Sequence, residues 1–249
     1  MAKQNSVSLY VRVVRDPSIH TDNATGKLIR GACALNVIRS IRSYDNKGSQ
    51  VKYDCPIIIS GDPDQIQKMR EWRIGDMVEL KGFITTSNVI KSYTCEHCRK
   101  KVQKDAVAVF ISPMYSKICE RDVSEKEAAE LLKNSCEASN VVYVIGNLCN
   151  DPELYHTRQG VLLATYQIAK NRKYRIVGGA TDARTDYPWI KSYGVTANSD
   201  GKYLRKGSSV YVDGALQTRK IEKKMVCPHC GEEFSVSDSS MEIVPYAVE

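Results

Sequence analysis

Only 3 of the 249 residues are Phe, and no uninterrupted apolar run approaches the ~20 residues a bilayer span requires. The first ten residues, Met1–Tyr10, hold no apolar segment of the signal-peptide kind, so a soluble, cytoplasmic protein is expected. No Gly-x-x-x-x-Gly-Lys phosphate loop occurs, which argues against nucleotide hydrolysis. Histidine is scarce: of 4 residues, His97 and His229 sit inside Cys-x-x-Cys pairs, leaving His20 and His156 in turn-like settings. Acidic residues such as Asp182 and Asp186 flank predicted strands without forming an evident metal cluster. A catalytic site needs a nucleophile, base and orienting group in one constellation, and none emerges. The chain is expected to bind rather than to catalyse.

What is present is said twice. Asp16-Pro17 recurs as Asp151-Pro152, an offset of 135 residues. The stretch from Gly75 to Gly82 recurs from Gly207 to Gly214, and Cys95-Glu96-His97-Cys98 recurs as Cys227-Pro228-His229-Cys230, both at an offset of 132. A period this long means two copies of one domain rather than a solenoid, and each copy has room for its own core. The expected division is residues 1–115, a helical linker over 116–139, and residues 140–249. Formal charge over these segments is +7, −2 and +2 (18 against 11, 4 against 6, 14 against 12). A mildly basic chain suits a polyanionic partner without establishing one.

Both copies read as short strands separated by turn signals. In the first they fall near Ser8–Val14, Gly31–Ile38, Cys55–Ser60, Met77–Ile84 and Ala106–Ile111. In the second they fall near Val141–Ile145, Leu162–Ile168, Tyr187–Tyr193, Ser209–Leu216 and Ser240–Val244. A helical pattern over Asp64–Trp72, with Ile66, Met69 and Arg70 on one face, separates the third and fourth strands of the first copy. Five strands with a helix between the third and fourth is the order of an OB-fold. The fold class is therefore all-β: two tandem OB-fold five-stranded barrels joined by a short helical linker. Ser124 and Glu127 form a capping box at the start of that linker helix, which ends before Asn140.

The 14 Tyr and 2 Trp outnumber Phe, a bias that suits wet, stacking surfaces as well as strands. Side chains alternate along a strand, so Tyr187, Trp189, Lys191 and Tyr193 share one face. Three rings and a lysine make a poor core stripe and a good stacking platform, although Trp189 or Tyr193 as partly buried barrel filler stays open. Lys170, Arg172, Lys173 and Arg175 surround Tyr174, placing cations for phosphates beside a ring for a base.

The second copy resembles the bacterial single-stranded DNA-binding protein family along nearly its whole length. Val144-Ile145-Gly146-Asn147-Leu148 with Asp151-Pro152-Glu153 is similar to that family's first strand and turn, and Asp186 to Tyr193 to its third strand. Tyr203-Leu204-Arg205-Lys206-Gly207-Ser208, followed by Val212-Asp213-Gly214-Ala215-Leu216-Gln217-Thr218-Arg219, is close to the family's most recognisable stretch. The first copy reads as a diverged relative on the repeat register. The resemblance implies sequence-independent binding of single-stranded DNA in replication, recombination or repair, and a homodimer presenting four OB-folds. It also implies that Tyr174, Tyr187 and Tyr193 stack on bases and that Arg219, with Lys220 beside it, meets the strand. The chain departs from the family in having Ile221 where an aromatic is common, and the family's acidic recruitment tail after the last strand is expected to be absent. Aligned on Trp189, Lys191 and Tyr193, the first copy offers Pro56, Ile58 and Ser60, a weaker platform, with Arg39, Arg42 and Tyr44 left to attract phosphate.

Nine cysteines is an odd number, and four of them lie in the two Cys-x-x-Cys pairs, which in a reducing compartment suggest metal or redox chemistry. Each pair falls between strands four and five of its own barrel and offers two thiolates, while a closed structural Zn2+ site needs four ligands. One site from Cys95, Cys98, Cys227 and Cys230 would clamp the barrels together. Pairing between chains, a redox dithiol or unligated thiols remain alternatives. Two other functions stay open at this point: a zinc-clamped scaffold whose barrels bind protein, and binding of single-stranded RNA.

Overall fold

The computed structural model describes residues 4–41, 50–135, 138–172 and 185–249. Arg42, Tyr44, Lys173 and Tyr174 of the expected site, and the glycine-rich segment after them, lie outside the described residues.

The first barrel is built from β1 (Asn5–Val13), β2 (Ser18–Thr21), β3 (Leu28–Ile41), β4 (Gln50–Asp54), β5 (Ile57–Ser60), β6 (Met77–Thr94) and β7 (Lys101–Glu120), with α1 (Pro63–Met69) between β5 and β6. After α2 (Glu125–Asn134), the second barrel follows the same order: β8 (Asn140–Leu148), β9 (Glu153–His156), β10 (Leu162–Asn171), β11 (Thr185–Asp186), β12 (Trp189–Tyr193), α3 (Gly194–Tyr203), β13 (Ser209–Val226) and β14 (Glu233–Val248). In each, the first strand pairs with both the second long strand and the fourth, and the circuit closes through one parallel bridge. That bridge is Ile58 opposite Ile111 in the first barrel and Ile190 opposite Ile243 in the second. This is the five-stranded OB-fold closure.

Alternation explains the strands. β1 and β8 are buried at every second residue, with Val7, Leu9 and Val11 or Val142, Val144 and Leu148 pointing inward. Each opens on a buried asparagine. Asn5 donates to Ile84 O (2.8 Å) and accepts from Ile84 N (3.0 Å), and Asn140 does the same with Leu216 (2.9 and 2.8 Å). Gly82 and Gly214 sit at matching register shifts, where a Cβ would meet Ser112 O at 2.4 Å and Val244 O at 2.3 Å.

Two expectations change. The helix α1 buries Gln65 rather than Arg70 beside Ile66 and Met69; Gln65 reaches Met114 O and accepts from Ser116 Oγ, so a polar side chain is satisfied inside while the arginine faces water. The helix α3 is not foreshadowed by its polar sequence. It is anchored by buried Asp200, which accepts from Tyr166 Oη (3.0 Å) and Ser192 Oγ (2.5 Å). The capping box at α2 is present as expected: Glu127 N donates to Ser124 Oγ, and Glu127 Oε2 accepts from Ser124 N.

The barrels are fused through a quasi-two-fold relation. β1 and β8 pair antiparallel, from Asn5 opposite Val144 to Leu9 opposite Asn140, so six antiparallel strands run β7-β6-β1-β8-β13-β14. Two clasps flank this ladder. Asp54 of the first barrel accepts from Thr218 N of the second (2.6 Å) and holds Arg39 Nε at 3.0 Å. Asp186 of the second accepts from Thr86 N of the first (2.7 Å) and holds Arg172 at 2.7 Å, with Lys170 at 3.9 Å. Adding 132 to Asp54 and Thr86 gives Asp186 and Thr218, so one contact is made twice. One hydrophobic cluster runs through both barrels. Among the described residues no helix is long and apolar enough to cross a membrane.

Removing the carboxylate of a buried cluster strands its cations. Asp186→Ala should destabilise the fold by about 3–5 kcal/mol, measured by denaturant unfolding, whereas a loss under about 1 kcal/mol would show that the clasp is solvated.

Candidate nucleic-acid interface

β12 sets the platform. Ile190 and Ser192 point into the second barrel, while Trp189 (40% exposed), Lys191 and Tyr193 face outward. The strand pairs with β10 from Leu163 opposite Tyr193 to Gln167 opposite Trp189, and Tyr187, 43% exposed, precedes it beside Pro188. The filler alternative therefore does not hold for Trp189, whose ring lies on the surface. Tyr193 is half-buried and its hydroxyl accepts from Gln217 Nε2 at 3.2 Å. Arg219 and Lys220 are exposed on β13.

Three expected phosphate contacts are placed otherwise. Arg39 is buried and held by Asp54, Lys170 is 2% exposed beside Asp186, and Arg172 donates to both Asp186 oxygens and to Thr86 O. Their charge is spent inside the clasps, where desolvation makes a paired carboxylate obligatory. Burial pushes Lys170 down to about 8, against the pull of Asp186. These three act on the barrel junction, not on a phosphate in solvent.

A second correction concerns the first barrel. The bridge Ile58–Ile111 matches Ile190–Ile243, so Ile57 and Ile59, not Pro56, Ile58 and Ser60, stand where Trp189 and Lys191 stand. A slip of one residue exchanges the two faces of a strand: Ile58 and Ser60 are buried, and Ile57 is 43% exposed. The first barrel thus presents an aliphatic surface at the position of the second barrel's ring.

The strands β6–β7 and β13–β14 extend beyond the barrels as two long hairpin arms, with a Cys-x-x-Cys turn at each tip. The turns are alike: Arg99 N donates to Cys95 O and Gly231 N to Cys227 O, at 3.0 and 2.9 Å, with left-handed φ of 59° and 77°. The tips meet. Cys95 Sγ lies 3.8 Å from Cys230 Sγ and Cys98 Sγ 3.6 Å from Cys227 Sγ, and all four sulfurs are within 4.8 Å of one another. A tetrahedral ion with ~2.3 Å metal–sulfur bonds spaces its sulfurs by about 3.8 Å, so the four thiols fit such a metal in both number and spacing. Burial opposes ionisation of Cys227, but the backbone N–H groups of His229 and Cys230, with neighbouring thiols, draw it down to about 7. Val102, Phe234 and Val236 pack beneath, with Tyr93 and Met225. His97 and His229 stay out of this cluster, and His97 contacts Glu233 O instead.

Between the arms and the barrels lies an open groove of about 700 Å³, lined by Ile57, Trp189, Lys191 and Arg219 together with Lys91, Lys104 and Lys223. The last three were not foreseen. The signal was there, since Lys91 and Lys223 are repeat equivalents at the 132 offset, but nothing local marks either as a ligand.

Residues 139–235 match the model of the Single-strand binding protein family. A single-stranded DNA-binding protein of Xylella fastidiosa is 35% identical over 82 residues, covering 33% of this chain and 50% of that protein. Single-stranded DNA-binding protein 1 of Chlorobaculum tepidum is 36% identical over 80 residues, covering 32% and 49%. The chain thus spans about half the length of the curated relatives it matches. The structure of a deletion mutant of the single-stranded DNA binding protein from Thermus aquaticus superposes with a TM-score of 0.64 at 16% identity, over 100% of this chain and 95% of that one. The wild-type Thermus aquaticus protein gives 0.59 at 16% identity, over 100% and 93%. Residues 139–235 of the second barrel thus match that family's model, and the chain as a whole shares the fold of the Thermus aquaticus structures.

If the rings are surface features, Trp189→Ala with Tyr187→Ala should leave the thermal transition nearly in place, whereas Ile190→Ala should cost about 2–5 kcal/mol. Equal losses in a denaturant titration would place the rings in the core.

Proposed function

We propose that this protein binds single-stranded DNA without strong sequence preference, in replication, recombination or repair. Residues 1–115 and 140–249 are its two binding domains and 116–139 the linker. The observation that carries this reading is the outward face of β12, where Trp189 and Lys191 stand in line with Tyr193, exposed Tyr187 precedes them, and Arg219 shares Glu242 with Lys191. A ring offers a base a stacking surface worth roughly 1–3 kcal/mol, and the neighbouring cations meet the phosphates between bases. The match of residues 139–235 to the model of the Single-strand binding protein family, and the names of the relatives, support the same reading and a binding rather than a catalytic role. Within the expected site the contacts are Tyr187, Trp189, Lys191, Tyr193, Arg219 and Lys220. Tyr174, Lys173, Arg42 and Tyr44 belong to the same proposal on sequence alone.

Cys95, Cys98, Cys227 and Cys230 would hold one structural Zn2+ within the chain, joining the tips of the arms, with Arg99, Lys100, Lys101, Lys223 and Lys224 close in sequence to offset the −2 charge of four thiolates around it. The protein works in the cytoplasm as a homodimer presenting four barrels. The outer face of the six-stranded sheet, where Tyr143 and Tyr211 stack at 6.1 Å, is the surface available for that pairing.

Titration of labelled oligo-dT, oligo-U and duplex DNA at two salt concentrations tests the reading. Tight, salt-sensitive binding of dT with much weaker binding of duplex is expected, and equal affinity for duplex would contradict stacking. Tyr187→Ala with Tyr193→Ala should weaken dT binding by about 2–4 kcal/mol. Metal analysis should find one zinc per chain, lost in Cys95→Ser with Cys98→Ser; zinc retained by that variant would exclude the shared site.

A further inference from the structure

The groove between the barrels holds two carboxylates, and each is shared by two cations. Asp238 on β14 binds Lys91 of the first arm and, at 2.9 Å, Lys223 of the second. Glu242, four residues on, binds Lys191 at 2.9 Å and takes Arg219 through two contacts, Nε at 3.1 Å and Nη2 at 2.9 Å, with Gln217 Nε2 at 3.2 Å. The carboxylate side chains are nearly buried, 9% and 5% exposed, while Lys223 and Arg219 keep 48% and 41% of theirs in solvent. An inner anion thus holds cations whose outer sides remain reachable by an outer one. Two donors converging on one oxyanion at hydrogen-bond distance is also how basic side chains grip a phosphate. Lys104 lines the same groove from β7, and Trp189 and Ile57 of the other barrel form part of its wall.

We propose that this groove is the crossing point at which one single strand passes from the second barrel to the first, with Asp238 and Glu242 as place-holders for backbone phosphates. In the free protein the carboxylates keep Lys91 with Lys223, and Lys191 with Arg219, gathered and oriented. On binding, the cations turn part of their donors to phosphodiesters of the strand, and Trp189 meets a base at the entrance. The occupant follows from the lining. Apolar wall, exposed ring and paired cations match an unpaired strand, which offers both a base face and a charge every residue; a duplex keeps its base faces inside. The crossing uses residues of both copies, so it exists only because the arms bring Lys91 and Lys223 to one carboxylate. This inference rests on the single-strand reading above.

The salt dependence of oligo-dT binding, on a chain long enough to reach both barrels, tests it in the full-length, metal-loaded protein. Each lost phosphate contact lowers the slope of log K against log salt by about 0.7 for a single strand. Lys91→Ala with Lys223→Ala should therefore reduce the slope by about 1.4 while dT still binds through the platform. Asp238→Asn and Glu242→Gln should each tighten binding at low salt, by roughly 2- to 5-fold, the size of a partly exposed ion pair released to the ligand. A carboxylate with only a structural role would give the opposite sign. Glu242→Gln lies outside the contact between the arms, so it decides the sign if Asp238→Asn unfolds them, as judged by metal content. An unchanged slope in the lysine double variant, or weaker binding by both carboxylate variants, removes the groove from the strand's path. Failure of the unmodified protein to bind dT would instead overturn the single-strand reading itself.

Discussion

The shared ladder between β1 and β8 is the constraint on which the rest of the molecule depends. Each strand uses one edge to close its own barrel and, over Asn5–Leu9 and Asn140–Val144, the other to bind its counterpart. Two barrels on a loose tether would have neither a fixed groove nor arms that meet. The clasps then set the angle. Asp54 with Thr218 and Asp186 with Thr86 are the same contact made in both directions, and the cations behind them are desolvated. Buried ion pairs add little net stability, because desolvation offsets attraction. Each of these ion pairs lies within one barrel. What crosses the junction is the further bond each carboxylate accepts, from Thr218 N or from Thr86 N, and the one Arg172 donates to Thr86 O; another arrangement of the barrels would leave these groups without their partners.

From that geometry the arms follow. Both hairpins continue the fourth and fifth strands of their barrels, and since the barrels are related by a quasi-two-fold, the arms converge and place like residues together. Cys95 faces Cys230 and Cys98 faces Cys227, so two half-sites of two thiols each become one set of four. The same convergence brings Lys91 and Lys223 onto Asp238. A chain that carried only one copy would have two thiols on a solvent-exposed turn, too few to enclose a tetrahedral metal. The duplication is thus what turns motifs into sites.

Much of the fold was legible from the repeat and from alternation. The strand order, the linker helix with its Ser124 cap and the outward face of β12 are local consequences of period-two patterning and capping chemistry. The four-cysteine set was legible from counting ligands. What escaped has a common physical cause: it depends on partners distant in the chain. Lys170, Arg172 and Arg39 look in sequence like free cations beside aromatic or polar neighbours, and only the fold supplies Asp186 and Asp54 as their counter-charges. The helix α3 is held by Asp200 contacts to Tyr166 and Ser192, which its own polar sequence does not announce. The first barrel's platform was misjudged by one residue because the repeat carries a register drift of three, and one residue is enough to turn a strand's face inside out.

Amide hydrogen exchange across the junction between barrels is the most direct test. Tyr10 N donates to Ser139 O and Ile145 N to Gln4 O, one at each end of the shared ladder. In the DNA-free protein these two amides should exchange as slowly as those of the interior strands, since opening them requires parting the barrels. Exchange at the rate of a free strand edge would mean the barrels move independently, and neither the groove nor the joined arms would then describe the protein in solution.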